Sequence, residues 1–355
     1  MNRIRTRQTA CLHIHHQEVI MLPEVNHRPP FNITRASHIV LNVADLAKSR
    51  AFYVDIVGLV VTEEGDGICY LRGLSEACHH SLVLVQSNEA STCKRIGFRV
   101  FLEEDLDDAY AFFKAEGLPS EWVDAPFQGR TLHVSDPFGT KIELCAQMQT
   151  RPRLYLERDK FKGAHAQRLD HFQIFSPDTY ASCAFYSRLG FRNSEYLAHG
   201  ERLLGAFMYR KGTCLDLAIV ENDGPCMHHF AYIVPESHDI FTACDLAGIY
   251  GYAHEVERGP GRHGPGGMLF VYLRDPDGHR VELCDGHYQT IDIEIEPVRW
   301  DAGSLNTSVR WGMPASHRWY FEASKFEGAA LVETRNKPNP ETLERYVQKA
   351  LAAQH

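Results

Sequence analysis

The sequence has no CxxC pair among its ten cysteines, no apolar run long enough to cross a membrane and no excess of positive charge. Each absence removes a class of protein. Cysteines scattered singly, most of them inside apolar runs, do not build a disulfide framework or a zinc ribbon. They read as reduced, buried thiols of a cytoplasmic protein. A membrane-spanning helix needs roughly 18 or more apolar residues in a row, and charges or histidines interrupt every run sooner. The first thirty residues hold no apolar leader core, so no signal peptide is expected. A net charge of −9, from 46 acidic and 37 basic residues, argues against nucleic acid or an anionic membrane as the main partner. What is present is 355 residues at 44% hydrophobic content, enough for two cores. Histidine is plentiful at 20, although His13, His15, His16 and His27 fall in a polar N-terminal segment.

Residues 1–32 read as an irregular arm. From Ile33 the chain is punctuated like a folded one. Ser37–Val43 is a strand, and Ala44–Val57 is an amphipathic helix stopped by Gly58. Strands are expected around Gly67–Leu71, Ser81–Val85 and Ile96–Phe101. A second helix over Asp105–Glu116 stops at Gly117. Thr131–Val134 and Lys141–Cys145 flank the turn Asp136-Pro137-Phe138-Gly139. The chain then repeats itself. Leu169-Asp170-His171-Phe172 echoes Ala36-Ser37-His38-Ile39. From each histidine to the matching phenylalanine, Phe52 or Phe185, is 14 residues. His228–Val234 is set against Ile96–Phe101, and Asp275–Cys284 against Asp136–Cys145. The expected architecture is α+β: two homologous domains, 33–150 and 166–290, each a pair of βαβββ units. Residues 291–355 follow as a lid or tail, with a helix over Pro338–His355.

The stretch Glu257–Tyr288 carries the most chemistry. It holds a Gly/Pro loop around Pro260 and Gly261, an apolar strand, the turn Asp275-Pro276-Asp277-Gly278 and the strand Val281-Glu282-Leu283-Cys284. Pro-Asp-Gly between apolar runs is a hairpin signal, because Asp bonds back to its own backbone and Gly accepts positive φ. Period-two alternation sends Glu282 to the face opposite Val281 and Leu283. A strand glutamate ordinarily faces water. Buried without a partner it costs on the order of several kcal/mol. His171 and His229, on two other strands of the same copy, are the partners on offer. Two histidines and one carboxylate on converging strands form the facial triad that holds a non-haem Fe(II) and leaves positions open for O2 and a substrate. The first copy keeps His38 and Glu143 but is expected to set Gly97 opposite His229. Its site is then vestigial, and one metal per chain is expected.

These motifs resemble the type I extradiol ring-cleavage dioxygenases of the vicinal-oxygen-chelate superfamily, in the branch of homoprotocatechuate 2,3-dioxygenase and catechol 2,3-dioxygenase. The resemblance is carried by Arg168-Leu169-Asp170-His171-Phe172, by Met227-His228-His229-Phe230-Ala231 and by Glu257-Arg258-Gly259-Pro260-Gly261-Arg262-His263-Gly264. Tyr272, Asp275–Glu282 and Trp319–Ser324 complete it, over roughly residues 33–325. It implies two tandem βαβββ modules, each an incomplete barrel, and metal ligands His171, His229 and Glu282. It further implies Fe(II), with Mn(II) as an alternative, O2 as co-substrate, a catecholic substrate cleaved outside its two hydroxyls, and a cytoplasmic homotetramer. His263 and Tyr272 are implied as catalytic donors beside bound substrate and oxygen, and Arg258 as a charge near the substrate.

The sequence departs from that family at defined places. The family's acid–base histidine lies 14 residues before the second metal histidine, where this chain has Leu215. Leucine neither gives nor takes a proton, and general acid–base catalysis is worth roughly 10²–10⁴-fold. The aromatic of that wall is Phe207, and Gln173 stands two residues after the first ligand. The arginine that clamps a substrate carboxylate falls near Thr307, with Arg310 close by. These departures speak against homoprotocatechuate itself. They keep open a hydroquinone, an aminophenol or a trihydroxylated ring as substrate, or a non-catalytic binding member of the superfamily.

Overall fold

The computed structural model describes residues 22–89, 91–302 and 309–352. The first copy comprises β1 (Ile33–Val43), α1 (Leu46–Phe52), β2 (Val60–Gly65), β3 (Ile68–Arg72), β4 (Leu82–Gln86), β5 (Cys93–Val100), α2 (Glu104–Ala115), β6 (Ser120–Val123), β7 (Thr131–Ser135) and β8 (Lys141–Cys145). The second comprises β9 (Arg168–Ser176), α3 (Thr179–Arg188), β10 (Arg192–His199), β11 (Arg202–Tyr209), β12 (Leu217–Glu221), β13 (Cys226–Ile233), α4 (Ser237–Ile249), β14 (Val256–Arg262), β15 (Leu269–Arg274) and β16 (Arg280–Cys284). After these come β17 (Val298–Asp301), α5 (His317–Phe321), β18 (Ser324–Lys325) and α6 (Leu343–Ala352).

The first sheet runs β2-β3-β4-β1-β5-β8-β7-β6, and the second runs β10-β11-β12-β9-β13-β16-β15-β14 with β17 beside β10. The two orders are the same, element for element. The expected tandem βαβββ modules are therefore present, in an α+β fold. Local chemistry repeats as well. Asp45 caps α1 by accepting from Lys48 N, and Asp178 caps α3 by accepting from Ala181 N, each satisfying an otherwise unpartnered N–H. A π turn, Tyr53–Val57, extends α1 and ends at Gly58 with φ +86. A Cβ at Gly58 would also lie 2.4 Å from His165 N, so glycine is required there on both counts.

The two Asp-Pro-x-Gly turns do more than reverse the chain. Asp275 Oδ1 accepts from the N–H groups of Asp277 and His279, and Asp136 Oδ1 from those of Phe138 and Thr140. The other oxygen of each accepts from a buried tyrosine of the opposite module: Tyr53 Oη donates to Asp275 Oδ2 at 2.8 Å and Tyr186 Oη to Asp136 Oδ2 at 3.1 Å. The modules are thus joined by a reciprocal exchange inside one apolar core that spans both sheets. Buried polar groups are tolerated only when paired in this way.

Two expectations change. The Gly/Pro loop before His263 is a strand, β14, pairing with β15 through two register shifts. Pro260, whose peptide bond is cis, and the glycines beside it sit at those irregularities, where a strand tolerates them. The C-terminal helix begins at Leu343, past Pro338 and Pro340, rather than at Pro338.

A buried charge network attaches the tail to the second module. Arg280 is 2% exposed. It forks onto Glu257 and donates to the carbonyls of His228 and Glu322, both at 3.0 Å. Burial acts to raise the Glu257 carboxyl, but Arg280 and Arg274 outweigh it and bring it down to about 2. A folded-state value below the ordinary 4.5 contributes stability at higher pH that is lost as the pH falls toward about 2. Glu257→Gln is therefore expected to lower the Tm at pH 7, by a deficit on the order of 3–5 kcal/mol for breaking a buried pair. The gap to wild type should close as the pH is lowered through that window. Thermal denaturation of both proteins across pH checks this, and equal Tm values at pH 7 would remove Glu257 from the network.

Candidate metal centre and active site

Strands β9, β13 and β16 are neighbours in the second sheet, and each carries one residue of the expected triad. His171 is 1%, His229 2% and Glu282 1% exposed. Glu282 Oε2 lies 3.1 Å from His171 Nε2 and 3.2 Å from His229 Nε2, and the two Nε2 atoms are 3.3 Å apart. The bland alternative for Glu282, a solvated strand residue, is excluded by its burial.

Both imidazoles are held from behind. His171 Nδ1 donates to Asp170 Oδ2 at 2.8 Å. His229 Nδ1 faces His228 Nδ1 at 2.7 Å, and His228 Nε2 faces the Trp319 carbonyl at 2.7 Å. A carbonyl only accepts, so His228 carries its proton on Nε2 and His229 donates from Nδ1. In both histidines Nε2 is thereby left to face the common point. This is the arrangement of imidazole ligands oriented by hydrogen bonds to their far nitrogens.

The electrostatics favour a cation. Burial acts to raise the Glu282 carboxyl, but His171, His229 and His263 outweigh it and hold it well below the usual range. Asp170 is likewise held low against burial, by Lys211, His287 and His171. Burial would lower His171, yet Asp170 and Glu282 lift it to about 9, while burial takes His229 down to about 4. The cluster thus keeps one proton between two carboxylates and a second, neutral imidazole. Two imidazoles and one carboxylate fit a divalent first-row metal in place of that proton.

The remaining expected residues line the same cavity of about 160 Å³: Arg258, His263, Tyr272, Gln173, Phe207 and Leu215. His263 Nε2 lies 3.0 Å from Tyr272 Oη and 3.1 Å from Glu282 Oε1, with its ring stacked on Phe270 at 3.8 Å. The Arg258 guanidinium sits over the Trp319 ring at 4.1 Å. Leu215 packs with Cys214, Ala218 and Phe207 as an apolar wall. Thr307 lies outside the described residues, and Arg310 is not among those lining the cavity. Sequence reading assigned no role to His228, Trp319 or His287, which close the site from behind and from one side. Trp319 and His228 lay within quoted motifs, whereas His287 carried no signal beyond being a histidine five residues after Glu282.

The first copy lacks the second histidine, but at another position than expected. Glu143 pairs with Gly97, and Glu282 pairs with Ala231. Gly97 therefore corresponds to Ala231, and Arg95 stands where His229 does. The expected match was two residues out, a slip that leaves every side chain on its own face and so leaves no mark in the alternation. Gly97 instead makes room: a Cβ there would lie 2.1 Å from the His38 ring. His38 Nε2 and His133 Nε2 each sit 2.7 Å from Glu143, and Gln128 donates to it at 2.8 Å. His133 occupies the Tyr272 register, since each pairs with its module's glutamate. The carboxylate that faces two converging imidazoles in one module has its counterpart closed into a hydrogen-bonded network in the other.

Comparison with known proteins gives a consistent family. The model of the Glyoxalase/Bleomycin resistance protein/Dioxygenase superfamily matches residues 35–144 and again 168–283. The chain is 28% identical over 300 residues to a manganese-dependent 2,3-dihydroxybiphenyl 1,2-dioxygenase of Geobacillus genomosp. 3, covering 79% of this chain and 94% of that protein. It is 24% identical over 324 residues to a metapyrocatechase of Geobacillus stearothermophilus, covering 86% and 98%. Among solved structures it is similar to homoprotocatechuate 2,3-dioxygenase of Brevibacterium fuscum in complex with 3,4-dihydroxyphenylacetate. That match has a TM-score of 0.82 and 35% identity, and covers 87% of this chain and 99% of the other.

The role of Gly97 is open to a direct test. Gly97→Ala is expected to lower stability by about 1–3 kcal/mol through overpacking against His38, read by thermal or denaturant unfolding. Unchanged stability would mean that the imidazole does not occupy that space.

Proposed function

Because the chain belongs to the Glyoxalase/Bleomycin resistance protein/Dioxygenase superfamily, we propose that it is an extradiol dioxygenase. It would insert O2 into a catecholic ring with cleavage beside the diol, using Fe(II), or Mn(II) as in one relative, at His171, His229 and Glu282. The observation that carries this reading is the convergence of the three buried donors at one end of a cavity walled by apolar side chains. A cytoplasmic homotetramer belongs to the same reading.

When bound, the metal would lower the pKa of a ring hydroxyl and bring the ring and O2 together. The protein's residues do the rest. A divalent charge in place of the His171 proton raises the charge of the centre by one, which favours an ionised ring oxygen. His263 and Tyr272 reach the Glu282 edge of the site, where they can donate to developing negative charge. Phe207, Leu215 and Ala218 hold the ring by apolar contact and keep water away. The two acids in the wall are turned to partners: Glu195 to Tyr288, Trp300 and Gly266 N, and Glu221 to Arg202. This balance suits a catechol with an uncharged substituent. Leu215 supplies no proton, which keeps in view a hydroquinone, an aminophenol or a trihydroxylated ring. The complete donor set argues against a purely non-catalytic binding protein.

Anaerobic Fe(II) titration with a panel of catechols, followed by air, tests the reading. One equivalent of metal per chain and a yellow ring-cleavage product are expected. Two equivalents, or none, would overturn the assignment of a single centre. Glu282→Gln is expected to weaken metal binding about 10-fold or more by removing the sole anionic ligand, whereas His38→Ala keeps one equivalent. Undiminished affinity in Glu282→Gln would sink the triad.

Leu215→His makes a further test. Ser81 and Asp216 accept from Ile39 N and Phe172 N at the same register, so His80 of the first module stands where Leu215 stands in the second. The fold therefore accommodates an imidazole there. The variant is expected to turn over simple catechols faster, by up to the roughly 10²-fold that begins the range for acid–base catalysis. Steady-state kinetics identical to wild type on every catechol would show that position 215 does not face the reacting ring.

A further inference from the structure

His287 follows Glu282 by five residues, after the chain turns at Gly286 with φ +127. Its imidazole side chain is 0% exposed and lines the same cavity as the triad. Nε2 lies 2.7 Å from Asp170 Oδ2, the oxygen that accepts from His171 Nδ1 at 2.8 Å. Nδ1 lies 3.1 Å from Cys214 Sγ, and the ring stands edge-on to His171 at 5.4 Å and 77°. One carboxylate oxygen thus lies between two imidazoles, hydrogen-bonded to the one of the triad and within ion-pairing distance of the one in the cavity wall. Lys211 Nζ donates to the Asp170 backbone carbonyl at 2.7 Å and lies 3.6 Å from its other carboxylate oxygen.

We propose that His287 is a positioning residue for the metal centre: it fixes the Asp170 carboxylate and, through it, the orientation and donor strength of His171. This rests on reading His171, His229 and Glu282 as metal ligands. A carboxylate gripped on one side only can turn about its terminal torsion, which is broad and two-fold. The second grip removes that freedom. It also shares Oδ2 between two partners, so Asp170 pulls less strongly on the His171 N–H. Groups behind a ligand histidine typically alter metal affinity or activity by about 10–100-fold.

The test uses the full-length, metal-free protein and Co(II) as probe, with visible absorption reporting the coordination sphere. Wild type is expected to bind one equivalent. His287→Leu should bind about 10–100-fold more weakly with a shifted Co(II) spectrum, and His287→Gln, which keeps an N–H donor, should recover most of both. The Tm of the metal-free variants separates a positioning effect from a general packing defect. His287→Ala takes the place of leucine where that variant does not fold. Wild-type binding together with unchanged affinity and spectrum in His287→Leu overturns this inference alone. A wild type that takes up no Co(II) overturns the metal reading and this inference with it. Loss of affinity that glutamine fails to rescue and that tracks a lowered metal-free Tm also overturns it, since it assigns His287 to packing.

Discussion

A carboxylate 1% exposed in the middle of a strand is the constraint from which the second module is built. Glu282 cannot stay there as a charge without compensation, and three imidazoles face it at 3.1–3.2 Å. Those imidazoles come from β9, from β13 and from the end of β14, so the sheet order β14-β15-β16-β13-β9 is what brings them within reach. Each of the two histidines on β9 and β13 then has an acceptor behind it. Asp170 is the residue before His171 and turns back to it, while His228, before His229, passes the link to the Trp319 carbonyl. The tail is thereby tied to the centre, and Arg280 reinforces the tie by donating to carbonyls on both sides of it.

Duplication explains why only one module needs the two-histidine, one-carboxylate cluster. The reciprocal bonds Tyr53 to Asp275 and Tyr186 to Asp136 need both modules intact as folds, not as sites. The first module can therefore exchange function for a self-contained network without disturbing the interface. It does so with few changes. Arg95 replaces the second histidine, His133 replaces the tyrosine, and Gly97 opens the space that the His38 ring fills. Glu143 remains held well below its usual range against burial, by His133 and His38, so the buried charge persists with protein partners alone.

The features legible in sequence were those with local punctuation or exact repetition. The Asp-Pro-x-Gly turns, the glycine stops at Gly58 and Gly117 and the two spaced copies marked out the modules, and the triad followed from the repeat. The register of β5 against β13 was not legible, because a shift of two residues leaves the alternation of each strand unchanged. That slip keeps every side chain on its own face, so no hydropathy pattern could expose it. Strand β14 was hidden by its proline and glycines, which signal a turn in isolation but sit here at register shifts. His287 and Trp319 were illegible as site residues for a different reason. Neither lies on the sheet that carries the triad, and only the path of the tail and of the turn after β16 brings them to it.

The wall opposite His263 shows how polarity is distributed when one position becomes apolar. His80 and Leu215 share a register, so an imidazole is sterically acceptable in this fold where the second module has leucine. The second module instead carries its extra imidazole at His287, beside Cys214, the neighbour of Leu215. That imidazole approaches from the turn after β16 and is committed to Asp170 rather than to open space. Burial also pushes the Cys214 thiol out of the ionisable range, so it adds no charge to this flank. Leu215, Phe207 and Ala218 thus form an apolar, uncharged part of the cavity lining, to which His263, Tyr272 and Arg258 add polar groups.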